Sequence, residues 1–204
     1  MNSHSNAPVH KEIIITGFGG QGIVLAGQIL GRAASLIDQK ESTLTQSYGP
    51  EARGGACSAQ VIISSGIIHY PYVRNPDILV CLSQEAYHKF HGLLKDGGTL
   101  LVDQDLVHTP QSDATNFFSI PATRMAEELG NKMMANVVML GFVTAVTGAV
   151  SANAVRDTVA GAVPKRTREQ NVAAFKKGFD YGLATLKGRR KKAAGQEGAT
   201  HEGP

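Results

Sequence analysis

A short strand, a glycine-rich turn and a helix follow one another directly near the start of the chain. Ile13–Ile15 is a run of three β-branched residues, which is typical of a buried strand. Apolar residues then recur at helical spacing over Ile23–Ala33. The turn between them has the spacing G-x-G-x-x-G, formed by Gly17, Gly19 and Gly22. This order predicts the first unit of an α/β sheet, with the turn at the carboxyl end of the strand.

The same turn is a candidate binding site. Backbone N–H groups of Gly20, Gln21 and Gly22 are expected to point outward at the start of a helix, where the helix dipole favours an anion. The alternative is a tight turn that only packs the helix on the sheet. Both interpretations remain open from the motif alone.

A dinucleotide site requires one further feature. An acidic residue about 20 positions after the glycines, at the end of the second strand, normally binds the ribose. Here the second strand is predicted at Thr43–Ser47 and ends without a carboxylate, while Asp38 and Glu41 precede it. The NAD interpretation is therefore weak.

A second glycine-rich loop follows that strand. Its candidate binding residues are Tyr48, Glu51, Arg53, Gly54 and Gly55. The Arg53 guanidinium is a planar fork suited to a carboxylate or phosphate. The alternative is a surface ion pair between Glu51 and Arg53. We expect the two strands to be neighbours, so that their carboxyl ends bring this loop next to the first glycine turn.

Strands alternate with helices in the first half of the chain, and helices dominate the second. The fold class is therefore predicted as α/β, a single three-layer α/β/α Rossmann-like domain with a mostly parallel sheet. An antiparallel hairpin is predicted between Ala56–Ser64 and Ile67–Tyr70, and a last amphipathic helix at Arg168–Leu186.

Three segments are predicted along the chain. Residues 1–10 form a disordered N-terminal segment, residues 11–186 one domain, and residues 187–204 a basic, flexible tail. The tail begins with five basic residues among six positions, a pattern typical of a solvated segment. Without a basic face elsewhere, it does not predict nucleic-acid binding.

Composition excludes several classes of protein. Hydrophobic residues make up 42% and charged residues 18% of the 204 residues, as in soluble globular proteins. No apolar run approaches the ~20 residues of a membrane span, and no signal peptide is visible, so a cytoplasmic location is expected. The two cysteines, Cys57 and Cys81, are too few for an iron–sulfur cluster, and the seven histidines show no metal-binding spacing. No metal site and no catalytic residue are predicted.

The two glycine-rich motifs together carry a resemblance. The stretches Gly17–Gly22 and Ser47–Gly55, in this order and at this separation, resemble the gamma subunit of 2-oxoacid:ferredoxin oxidoreductases. The similarity spans about Lys11 to Leu186 and includes Asn75–Asp77 and Ser83–Ala86. The amino-acid sequence of the second loop resembles that of the 2-oxoglutarate members more than that of the pyruvate members.

The resemblance implies a function that this chain does not perform alone. Enzymes of this family decarboxylate a 2-oxoacid on thiamine diphosphate with Mg, transfer electrons through iron–sulfur clusters to ferredoxin, and release an acyl-CoA. The family carries these cofactors on alpha and beta subunits, with a delta subunit in some members. This chain is then an assembly subunit that binds none of them by itself. Its glycine turn or Arg53 is a candidate contact for the phosphates of coenzyme A.

Other functions remain as alternatives. The chain could serve a pyruvate or branched-chain 2-oxoacid enzyme in the same role. It could also be a free-standing nucleotide-binding oxidoreductase, or a purely structural subunit in which both glycine motifs serve packing.

Overall fold

The computed structural model describes residues 9–48, 55–109 and 116–199, with side chains up to residue 194. Within these residues the chain forms one six-stranded sheet. Its strands are β1 (His10–Phe18), β2 (Glu41–Ser47), β3 (Ala56–Ser64), β4 (Ile78–Cys81), β5 (Thr99–Asp103) and β6 (Phe117–Ile120). They lie side by side in the order β2-β3-β1-β4-β5-β6. Only β3 among the described strands runs against the others, so the predicted mostly parallel α/β sheet is confirmed.

The antiparallel hairpin is present, but its partner differs from the predicted one. β3 pairs with β2 on one side and with β1 on the other. Residues 67–70 form no strand, so the predicted pairing of Ala56–Ser64 with Ile67–Tyr70 is wrong. Both edges of β3 are already hydrogen-bonded, which leaves no edge for a third strand.

Helices cover the two faces of the sheet unequally. They are α1 (Ile23–Arg32), α2 (Gln84–Phe90), α3 (Ala122–Glu128), α4 (Ala135–Thr147), α5 (Ala152–Ala162) and α6 (Arg168–Ala199). Ile13 and Ile15 point into the larger core, formed with α1, α4, α5 and α6. Ile14 points into a smaller core on the opposite face, formed with α2. The period-two alternation of β1 therefore supplies both cores of the three-layer fold.

The last helix is longer than the sequence pattern predicted. It continues to Ala199 and does not end at Leu186. The added residues are mostly Lys, Arg and Ala, which are good helix formers. Arg189 also anchors this part, since its guanidinium lies 3.8 Å from the Phe118 ring centre and donates a hydrogen bond to the Phe117 carbonyl on β6.

Candidate functional site

The glycine turn after β1 has the backbone conformation that only glycine adopts easily. Gly20 has φ +96° and Gly22 has φ +72°, both in the left-handed region. Gly22 caps the start of α1, and its carbonyl accepts a hydrogen bond of 3.1 Å from the Asn136 amide nitrogen. A Cβ at Gly22 would overlap that amide. The turn therefore requires glycine both for its φ and for the close approach of α4.

Gln21 lies inside the turn and stabilises it. Its side-chain oxygen accepts from the Phe18 N–H at 2.7 Å, and its amide nitrogen donates to the Leu82 carbonyl at 2.9 Å. Its backbone N–H donates to the Phe18 carbonyl at 3.2 Å. The expectation that the Gln21 N–H is available to a ligand is therefore wrong. Phe18, Gly19 and Gly20 are the exposed residues of the motif, while Gly17 is buried.

A cleft of about 250 Å³ opens beside this turn. Its walls are Gly20 and Gln21 after β1, Leu106 after β5, Thr123 after β6, and Lys132, Met133 and Ala135 before and at the start of α4. These strands end at the same edge of the sheet, where open α/β sheets bind ligands. The glycine turn and the strand ends thus form one cleft, as expected for a site of this class.

Two features of the cleft favour an anion. Lys132 is exposed and forms no ion pair with the described residues. The first turn of α1 contains no acidic residue and no side-chain cap, so its positive dipole end is uncompensated within the described residues. Lys132 was not among the candidate residues from sequence. A lysine before an apolar helix is too common a pattern to indicate a site.

Asp103 is a buried carboxylate that organises two walls of the cleft. One of its oxygens accepts from the Thr123 N–H at 2.9 Å and from the Thr123 hydroxyl at 2.6 Å. The other accepts from the Asp105 N–H at 3.1 Å. Burial raises the pKa of Asp103, and these hydrogen bonds oppose the rise. In the sequence, only its position at the end of a buried strand indicates a role for Asp103.

The second glycine loop lies largely outside the described residues. Glu51, Arg53 and Gly54 are not described, while Tyr48 before them is exposed and Gly55 after them is half-buried. β3 lies between β1 and β2, so the expectation that β1 and β2 are neighbours is wrong.

The loop nevertheless starts and ends at the edge of the sheet that carries the glycine turn. Ser58 of β3 is paired with Ser47 at the end of β2 and with Thr16 near the end of β1. The two motifs are thus at the same edge, and the second loop ends on the strand that pairs directly with β1, where Ala56 lies opposite Phe18.

Asp38, one of the two acidic residues near the position where a dinucleotide site needs a carboxylate, has a structural partner. The Asp38 carboxylate accepts from the Ser151 N–H at 2.7 Å and from the Ser151 hydroxyl at 2.6 Å, at the start of α5. It joins the end of the first helical segment to a distant helix. This contact gives Asp38 a role in packing and argues further against a ribose site.

The cysteines do not fit an iron–sulfur cluster. Cys57 and Cys81 are buried in the cores on opposite faces of the sheet, and burial raises the pKa of both thiols. Within the described ranges, no group of three His, Cys, Asp or Glu side chains could bind a metal ion. None of the helices in those ranges is long and apolar enough to span a bilayer.

Residues 12–181 match the model of the pyruvate ferredoxin/flavodoxin oxidoreductase family. The chain belongs to this family, which confirms the resemblance inferred from the two glycine-rich motifs.

Individual relatives agree with the gamma-subunit assignment. The chain is 53% identical to 2-oxoglutarate synthase subunit KorC of Methanocaldococcus jannaschii, over 84% of this chain and 94% of the relative. The gamma subunit of a keto/oxoacid ferredoxin oxidoreductase from Geobacter sulfurreducens matches with a TM-score of 0.77 and 40% identity, over 86% of this chain and 98% of the other.

A larger protein has the same fold in one part of its chain. It is the 2-oxoglutarate:ferredoxin oxidoreductase of Magnetococcus marinus, solved with 2-oxoglutarate, coenzyme A and succinyl-CoA bound. The TM-score is 0.74 at 23% identity, over 88% of this chain and 31% of that one. This likeness supports the fold alone.

Proposed function

We propose that this chain is the gamma subunit of a 2-oxoglutarate:ferredoxin oxidoreductase. The similarity to 2-oxoglutarate synthase subunit KorC over most of both chains carries this proposal. The complex would convert 2-oxoglutarate and coenzyme A to succinyl-CoA and CO₂, with electrons passed to ferredoxin. Alpha and beta subunits would supply thiamine diphosphate, Mg and the iron–sulfur clusters, since the two separated cysteines of this chain do not fit a cluster. Two free, buried thiols are consistent with a cytoplasmic location.

Reconstitution tests the role and the substrate together. The chain is co-expressed with the candidate alpha and beta subunits, and CoA-dependent ferredoxin reduction is measured with 2-oxoglutarate, pyruvate and 2-oxoisovalerate. The proposal expects a stable complex with the highest kcat/KM for 2-oxoglutarate. A preference for pyruvate or the branched-chain acid would retain the subunit role and reject the substrate. Turnover by this chain alone would reject the subunit role.

We further propose that the cleft beside the glycine turn contacts a phosphate of coenzyme A. Lys132 supplies a positive charge that forms no ion pair with the described residues, and Gly20 exposes backbone at the cleft wall. Arg53 is proposed as a second contact, since its loop begins and ends at the same edge of the sheet. The proposed reaction consumes coenzyme A, whose phosphate groups are anions that suit such a site.

Substitutions in the assembled enzyme test the coenzyme A contact. Lys132→Ala and Arg53→Ala are each expected to raise the KM for CoA about tenfold, equivalent to ~1.4 kcal/mol, with the KM for 2-oxoacid unchanged. Arg53→Lys should have a smaller effect, because it keeps the charge and loses the fork. Lys165→Ala, an exposed lysine outside the cleft lining, is the matched control.

The structural alternative makes a different prediction for the second loop. If Arg53 only pairs with Glu51, Glu51→Gln and Arg53→Ala should lower the unfolding midpoint alike and leave the KM for CoA unchanged. That result would assign the loop to packing.

A further inference from the structure

The strand at one edge of the sheet, β2, has no neighbouring strand on its outer side within the described residues. It lies at one end of the strand order and pairs with β3 on its inner side. This pairing runs without interruption from Glu41 opposite Ser64 to Ser47 opposite Ser58, so no bulge bends the strand away. The outer N–H and C=O groups of such a strand are a template for pairing with a further strand.

The two edges of the sheet differ in how they are protected. β6, at the other edge, has only four residues, and the Arg189 side chain of α6 donates a hydrogen bond to its Phe117 carbonyl. Proteins protect edge strands by shortening or covering them, or by placing lysine or proline in them. β2 has seven residues, contains neither lysine nor proline, and has its one charge on Glu41 at the first position. β2 is therefore the edge that is suited to pairing.

A two-fold axis at Leu44 would pair β2 with itself over its whole length. In an antiparallel pair centred on this residue, Leu44 meets Leu44 of a second copy, and all seven positions of the strand have a partner. Thr43 then lies opposite Thr45, and Glu41 lies opposite Ser47. No like charges face each other, because Glu41 is the only charged residue of β2 and it meets a serine.

The same axis keeps each kind of side chain on its own face of the sheet. Leu44 packs against the larger core and lines an open groove of about 190 Å³ between α1 and β2. Arg32 is the one charged residue among those that line this groove, and it follows Gly31, which lies close to Ser42. The two copies of Ser42 would be about 13 Å apart, so the two guanidinium groups do not oppose each other at the axis.

The threonines of β2 indicate that the partner is a second copy. The hydroxyl oxygens of Thr43 and Thr45 are buried and have no hydrogen-bond partner within the described residues, which is unfavourable. Threonine pairs across antiparallel strands form hydrogen bonds between their hydroxyls. Pairing about Leu44 places each of these hydroxyls opposite the other one of the second copy. Residues 1–8 contain no β-branched residue, so this segment of the chain is poorly suited to the edge.

We propose that β2 pairs antiparallel with β2 of a second copy about a two-fold axis at Leu44. Two six-stranded sheets then become one continuous sheet of twelve strands. The carboxyl edges of the two parallel sets, and with them the two clefts, lie at opposite ends of this sheet. The proposal goes beyond the proposed function and does not depend on it, because it involves only contacts of the chain with itself.

Cysteine cross-linking of the full chain tests the pairing and its register. Opposite Cα atoms in an antiparallel pair are about 4.5–5.5 Å apart, which a disulfide spans. With diamide as the oxidant, Leu44→Cys should give about tenfold more disulfide-linked dimer than Gln46→Cys, because the two copies of position 46 are about 13 Å apart. Both positions lie on the same face of β2, and thermal melts check that both variants fold. The native Cys57 and Cys81 are buried and should not contribute.

Charge at an exposed position tests the same register without changing the core. Glu41 and Ser47 are exposed at opposite ends of β2, so they meet only between copies. Sedimentation equilibrium of the full chain should give a dimer Kd about fivefold lower for Ser47→Lys than for the parent, and about fivefold higher for Ser47→Glu. In a Glu41→Lys background the order of the two variants should reverse, which controls for the effect of net charge.

Three results would each overturn the proposal. The first is a parent chain that stays monomeric up to about 100 μM. The second is equal cross-linking of Leu44→Cys and Gln46→Cys, which would assign any dimer to another surface. The third is an order of the Ser47 variants that does not reverse with Glu41→Lys. None of these results changes the proposed function, which the reconstituted activity tests separately.

Discussion

Substitution of Gly22 by alanine should destabilise the fold through two separable effects. The first is backbone strain, because φ is +72° at this position. The second is overlap, because the new Cβ would collide with the Asn136 amide nitrogen and lie 3.0 Å from its Cγ. Asn136 is 4% exposed and has little room to move, so the turn or α4 must shift.

The magnitude of each effect can be assigned separately. The left-handed conformation costs alanine about 1–2 kcal/mol. Overpacking a buried contact adds about 1–3 kcal/mol, so Gly22→Ala should cost about 2–5 kcal/mol in all. Gly20 is the matched control, because its φ is +96° and nothing lies within 4 Å of a Cβ there. Gly20→Ala should therefore cost only the strain, about 1–2 kcal/mol.

A double-mutant cycle with Asn136→Ala separates strain from overlap. Urea unfolding of the parent, both single variants and the double variant gives the free energy of unfolding for each. Removing the amide eliminates the collision, so Gly22→Ala in the Asn136→Ala background should cost only about 1–2 kcal/mol. Additive costs, or equal costs for Gly20→Ala and Gly22→Ala, would refute the close packing of α4 on the turn.

Three further predictions concern other parts of the chain. Deleting residues 193–204 should change the free energy of unfolding by less than about 0.5 kcal/mol. Arg189→Ala should lower it by about 0.5–1 kcal/mol, because the contact of the guanidinium with the Phe118 ring is lost. Equal urea midpoints for the two variants would contradict this prediction. The raised pKa of Asp103 means that the native state binds a proton more readily than the unfolded chain, so the free energy of unfolding of the parent should rise as the pH falls from that raised pKa toward the usual 3.8. Asp103→Asn should remove this gain when unfolding is measured across pH. An unchanged dependence of the unfolding free energy on pH in the variant would contradict the prediction. Cys57 and Cys81 should resist a thiol reagent in the native protein and both react in denaturant, because burial raises their pKa values; rapid native labelling would show that the sheet opens readily.

The sequence by itself determined the class of fold and the position of its turn. Ile13–Ile15 is β-branched and Ile23–Ala33 is periodic, and these are local properties that each element carries whatever its neighbours are. The spacing of Gly17, Gly19 and Gly22 likewise predicts a tight turn between them, because glycine permits the left-handed backbone that Gly20 and Gly22 adopt. Ser83 also caps α2 as its residue type predicts, accepting from the Ala86 N–H at 3.2 Å.

The order of the strands was decided only by the tertiary structure. Local pattern indicated an antiparallel partner for Ala56–Ser64 but assigned it to Ile67–Tyr70, whereas β3 in fact lies between β1 and β2. Strand pairing depends on which edges meet in the folded chain, and a single strand's sequence does not record its neighbour.

Contacts between residues far apart in sequence likewise determine which side chains surround the turn. Asn136 meets Gly22 across 114 residues of sequence, and Asp38 meets Ser151 across 113. Lys132 reaches the cleft because α4 starts at the edge of the sheet where β1, β5 and β6 end. Hydrogen bonds and charges of this kind depend on distance in space, so a polar residue acquires its role only when packing of the helices on the sheet brings its partner to it.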